Sequence, residues 1–135
     1  MGFKMLVRML CAITLLCAAS PSLATYESII RASYDLADQA EIFEKYLRTH
    51  TRFVGLADDL GQLHMSTSAL YHHCRNYPGS SRQIPSYFSA VEARYLQVTK
   101  SYLQTLPYNV DRDFENRFAQ VRRAANELDY TISTN

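Results

Sequence analysis

Residues 53–74 read FVGLADDLGQLHMSTSALYHHC, and the spacing of apolar side chains in this stretch decides the fold. Phe53, Leu56, Leu60, Leu63, Thr67, Leu70 and Cys74 recur at alternating intervals of three and four. An α-helix turns once in about 3.6 residues, so this alternation stacks all seven along one narrow stripe, whereas a strand would need every second residue. One stripe of the helix must therefore be hidden against neighbours. Gly55 and Gly61 lie off the stripe; each weakens a helix by about 1 kcal/mol relative to Ala without disturbing the period.

The same pattern continues on both sides. Upstream, Ile29, Ala32, Leu36, Ala40, Phe43 and Leu47 predict a helix from about Tyr26 to Arg48, with Glu41–Lys45 and Glu44–Arg48 as oriented i,i+4 pairs on its outer face. Residues 48–52 hold neither Gly nor Pro, but the stripe jumps six residues from Leu47 to Phe53 and Thr51 can cap a new helix. A turn is favoured there, and a single long bent helix stays open. Downstream, Asn76 to Ser81 contains Pro78-Gly79, the pairing a type II turn requires. A third helix is expected from near Pro85 or Ser86, burying Phe88, Val91, Tyr95, Val98 and Tyr102, with Leu96, Leu103 and Leu106 widening its apolar face and Pro107 stopping it. Asn109 is expected to cap a fourth, with Asp111 and Asp113 in its first turn and Val110, Phe114, Phe118, Val121, Ala125, Leu128 and Ile132 along its seam. Arg122 and Arg123 fall on its outside.

Four helices joined by short links predict an all-α protein, an antiparallel up-down-up-down four-helix bundle. Pairing the second and third helices around the Pro-Gly turn brings Thr67 and Tyr95 to one level. A Tyr95 hydroxyl buried there needs a partner across the bundle or access to solvent.

The first residues carry a different message. Lys4 and Arg8 precede the apolar run Met9 to Ala19, and Ser22-Leu23-Ala24 supplies small residues where a signal peptidase reads them. The run is about half of the 20 or so apolar residues that cross a bilayer, so residues 1–24 read as a signal peptide and 25–135 as a single helical domain. A lipoprotein reading fits poorly, because Leu10 precedes Cys11 and Leu16 precedes Cys17. An export signal places the mature chain in the bacterial periplasm or the extracellular space.

Removing the leader takes away Lys4, Arg8 and two of the three cysteines. What remains is close to electrically neutral, which offers no electrostatic case for nucleic acid or an anionic membrane. Cys74 is left alone, so stability must come from packing rather than an internal disulfide.

Residues that could carry chemistry do not converge. His64 lies about 12 Å along a helix from His72, His72 and His73 point about 100° apart, and Cys74 falls on the buried seam. Surface histidines beside a core thiol is the expectation, with no metal and no cofactor. No Glu-x-x-His, Cys-x-x-Cys-His or Gly-x-Ser-x-Gly pattern is present, and nothing points to an enzyme. The acidic pairs at Asp58-Asp59 and Asp111, Asp113 suit a solvated face or a helix start. The unusual feature is phenolic: ten Tyr and no Trp. Tyr71, His72, His73, Arg75, Tyr77, Arg82 and Tyr87 gather around the Pro-Gly turn, and Tyr and Arg are enriched where proteins hold partners. The sequence therefore reads as a noncatalytic exported binding or interaction protein, with this end as the candidate surface for a protein or small-molecule partner. The alternative is a carrier of a small ligand, haem or metal between the helices.

Overall fold

The computed structural model describes residues 23–50 and 52–134, with side chains from Tyr26 onward. The expected leader falls outside that range save for the helical backbone at its last two residues, and Thr51, the expected cap, falls outside it too. The described chain is all-helical: α1 (Leu23–His50), α2 (Val54–Asn76), a short 3-10 turn (Ser81–Gln83), α3 (Ile84–Leu103) and α4 (Arg112–Ser133). There is no strand among the described residues.

The seams explain why these helices stay together. Every expected stripe position on α1 is buried, as are Leu56, Leu60, Leu63, Thr67, Leu70 and Cys74 on α2 and Phe114, Phe118, Val121, Ala125, Leu128 and Ile132 on α4. Each fully buried Leu or Phe contributes about 1.5–3 kcal/mol relative to leaving it in water. The stripe of α3 is narrower than expected. Phe88, Val91, Tyr95 and Val98 are buried, but Leu103 and Leu106 are exposed, because the helix has already ended at Leu103.

Helix boundaries follow local chemistry. The chain leaves α1 at His50 and enters α2 at Val54, so these are two helices. Phe53 occupies the cap position and offers no side-chain acceptor. At the far end of α2, Gly79 has φ of +91°, a conformation that costs L-residues bearing a Cβ roughly 1 kcal/mol or more. Ser80 N–H closes the turn on the Tyr77 carbonyl at 3.1 Å, as a type II turn around Pro78-Gly79 demands. Helix α3 ends four residues before Pro107, where the Thr105 hydroxyl and N–H both turn back onto the Tyr102 carbonyl. The cap of α4 is Asp111 rather than Asn109: its backbone is extended and its carboxylate accepts from Phe114 N–H at 2.8 Å.

Helix α1 lies beside both α2 and α4, and α2 beside α3. His64 donates to the Ala37 carbonyl at 2.9 Å, and Arg48 reaches across the α1–α2 break to Asp58 at 3.0 Å. Both expected pairs on α1 form, Lys45–Glu41 at 2.9 Å and Arg48–Glu44 at 2.8 Å. Gly61 permits α2 to approach α1 closely, since a Cβ there would stand 3.0 Å from the Glu44 carboxylate. Ser101 on α3 donates to Asp59 on α2. On the remaining side, Tyr102 on α3 stacks on Phe118 on α4 with centroids 3.6 Å apart. The Thr67 hydroxyl is satisfied within its own helix, donating to the Leu63 carbonyl at 2.8 Å, and the Thr99 hydroxyl donates to the Tyr95 backbone carbonyl at 3.1 Å.

Candidate functional site

Two connections meet at one end of the molecule, the α1–α2 break and the α3–α4 loop. Among the described residues, no helix continues past them to cover the aromatic side chains they carry. The result is a cleft of about 640 Å³ lined by Tyr46, His50, Arg52, Phe53, Tyr108 and Phe114, with Asp111 on its rim. Phe114 forms the floor, edge-on to Phe43 with centroids 5.3 Å apart. Phe53 stands 5.6 Å from both Phe114 and Tyr108. A second, shallower hollow of about 430 Å³ shares Arg52, Phe53 and Tyr108 and continues toward Ser101 and Gln104.

Several polar groups of the cleft are already engaged with one another. Tyr46 donates its phenol to the Asp111 carboxylate at 2.9 Å. The Phe114 N–H, the Tyr46 phenol and the nearby His50 together hold Asp111 below the usual carboxylate range. Burial, then the bond to Asp111, pushes the Tyr46 phenol up. Tyr46 is also stacked by His50, with centroids 4.7 Å apart, and has the Arg117 guanidinium over its ring at 4.6 Å. Arg52 is different. Its guanidinium rests 5.5 Å from the Tyr108 ring centroid, and it meets no carboxylate among the described residues.

The residues expected around the Pro-Gly turn separate into two groups. Tyr71, His72 and Arg75 lie together on the α1–α2 face, where Arg75 donates to the Tyr71 phenol at 2.8 Å and Tyr34 of α1 packs 5.6 Å from the Tyr71 ring. His73, Tyr77 and Tyr87 form the second group, His73 stacking on Tyr87 with centroids 4.7 Å apart. Arg82 is exposed on the 3-10 turn. His73 corrects the expectation of surface histidines: it is only 5% exposed and donates from Nε2 to the Ser80 carbonyl at 3.0 Å. It belongs to the structure of the turn, three residues from buried Leu70 and thus on the shoulder of the seam. His64 is half-buried, while His50 and His72 are exposed. Cys74 is fully buried, which pushes its thiol up to about 12.

The sequence also hid a carboxyl pair. Glu92 on α3 is 9% exposed and its Oε2 has no partner; Asp129 on α4 is fully buried and accepts from Ser133 at 3.4 Å. Burial, then the charge of Asp129, pushes the Glu92 carboxyl up. A signal was present. Glu92 lies four residues after Phe88 and three before Tyr95, and Asp129 lies four after Ala125 and three before Ile132, so each borders its seam.

No three His, Cys, Asp or Glu side chains come together as metal donors among the described residues. No described helix is long and apolar enough to cross a membrane. No protein-family model, curated protein or solved structure matches the chain.

Proposed function

We propose that this is an exported, noncatalytic binding protein, an antiparallel up-down-up-down four-helix bundle that holds a small ligand at its open end. The topology is supported by the cross-helix pairs, in which residue numbers rise on one helix as they fall on its neighbour: Ala37 with His64 and Tyr34 with Tyr71, Asp59 with Ser101 and Tyr87 with His73, Phe43 with Phe114 and Tyr46 with Asp111. Export rests on the leader pattern at residues 1–24, with the periplasm or extracellular space as destination.

The observation that carries the binding reading is the cleft at the α1–α2 and α3–α4 connections. Its volume of about 640 Å³ lies in the range of about 300–1,000 Å³ that small-molecule sites occupy, and its lining joins the rings of Tyr46, Phe53, Tyr108 and Phe114 to polar Thr49, His50, Arg52, Asn109 and Asp111. The apolar seams are packed with Leu, Phe, Val and Ala, which favours a site at the end of the helices over a carrier's cavity along their axis. The test is backbone amide shift mapping of the isotope-labelled protein against a library of small aromatic and aliphatic compounds. Shifts confined to residues 46–53 and 108–114 support the reading. Saturating binding with shifts elsewhere, or no binder at all, rejects it.

A second reading has its own observation. Tyr34 and Tyr77 are 55% and 63% exposed beside Tyr71, His72, Arg75 and Arg82, which suits a protein partner at the Pro-Gly end. Replacing Tyr71 and Tyr77 together with Ala removes capture of such a partner while helicity is kept; unchanged affinity rejects this surface.

A further inference from the structure

We infer that the ligand class of the cleft is a planar aromatic anion, its rings held by Tyr108 and Phe53 and its negative group by Arg52. The inference rests on the end-cleft reading and goes one step beyond it, to the chemistry of the occupant.

Size comes first. About 640 Å³ takes a molecule of two or three rings, and it is too small for a helix with its side chains. Shape comes next: the exposed ring of Tyr108 and the half-buried ring of Phe53 meet at 65°, so a flat ring laid on one presents its edge to the other, the two arrangements aromatic pairs prefer.

Charge then selects the sign. The cleft's carboxylate, Asp111, is already committed to the start of α4 and to Tyr46, with both oxygens accepting. His50 lies in its field. The Arg52 guanidinium has no such engagement. It is exposed and held over Tyr108, and its planar fork matches a carboxylate or sulfonate with two parallel hydrogen bonds. Asp111 keeps its charge, but its oxygens are already accepting from Tyr46 and Phe114, so it is Arg52 that has hydrogen bonds left to offer a charged occupant.

The experiment is a fluorescence titration of the purified chain with two probes that share one ring system, 8-anilinonaphthalene-1-sulfonate and the uncharged N-phenyl-1-naphthylamine. Expected for the wild type is tighter binding of the sulfonate. Arg52→Gln weakens the sulfonate about tenfold, the loss of one charge-assisted contact, and leaves the amine within about twofold. Tyr108→Ala weakens both probes, and Arg123→Gln, at an exposed cation on the outer face of α4, changes neither. Arg52 and Tyr108 are exposed in connections, so circular dichroism of both variants matches the wild type. Equal binding of the two probes, or a sulfonate affinity indifferent to Arg52→Gln, overturns the anion inference and leaves the cleft standing. Failure of both probes to bind, or indifference of both to Tyr108→Ala, removes the cleft reading as well.

Discussion

Replacing Gly61 with Ala sets two effects against each other, and the structure decides the sign. Gly61 lies inside α2, where Ala is favoured by about 1 kcal/mol through its smaller loss of backbone freedom. Against this, the new Cβ would stand 3.0 Å from Glu44 Oε2, 3.4 Å from its Cδ and 3.5 Å from Oε1. The obstruction is the far end of a flexible side chain, which needs to swing by a few tenths of an ångström. What holds that carboxylate is Arg48, through bonds of 3.0 and 2.8 Å on an exposed face. Such a pair is screened by water and weakly held, and Arg48 keeps Asp58 as a second acceptor. The helix gain therefore wins, with a net stabilisation of about 0.5–1 kcal/mol and a rise in the unfolding midpoint of about 2–5 °C. Urea unfolding followed by far-ultraviolet circular dichroism measures it, with an unchanged denaturant slope confirming that only stability moved. A destabilisation of more than about 1 kcal/mol would refute the reasoning. The double variant with Glu44→Ala then locates the error. Recovery means the carboxylate cannot swing aside, and persistence means the backbones of α1 and α2 lie closer than described.

Three further outcomes follow from the core. Leu63→Ala, at a fully buried position on α2, costs about 2–5 kcal/mol; a urea midpoint within experimental error of the wild type would show the seam to be misassigned. Cys74, with its thiol pushed up to about 12 by burial, does not react with a disulfide reagent in the native state, and labelling tracks unfolding as urea is added; rapid labelling without urea contradicts this. Glu92→Gln becomes stabilising as pH rises, because burial and Asp129 raise the folded-state affinity of Glu92 for its proton. A carboxyl so raised costs nothing below about pH 4, and its cost grows as pH climbs through the folded value. The wild type and variant converge in acid and separate toward neutral pH; a gap that is constant with pH, or of opposite sign, refutes the raised proton affinity of buried Glu92.

Most of the seams were legible because the period of a buried stripe depends only on which residues are apolar. All six expected positions on α1 are buried, and the turn at Pro78-Gly79 was written in residues with one physical use. Other features depend on neighbours in space. Asn109 and Asp111 are both good helix caps, and only the extended backbone at Asp111, with Phe114 N–H in reach, chooses between them. His73 was assigned to the outside by residue type, and Glu92 and Asp129 drew no reading at all, although each borders its seam. The cleft was illegible for a different reason: Tyr46 and Phe53 lie in one stretch and Tyr108 and Phe114 in another far along the chain, whereas the tyrosines at 71–87 share one stretch and drew the eye there.

The bond from Tyr46 to Asp111 joins the last turn of the first helix to the first turn of the final one. The pocket it borders is thus made by segments that emerge from a ribosome or translocon at opposite times. Its floor and one rim belong to α4, synthesised some sixty residues after Tyr46, so a chain cut short before residue 112 has no such pocket to offer. Ligand recognition of the kind proposed therefore requires α1 and α4 to have docked, and binding would report that this long-range pairing had formed.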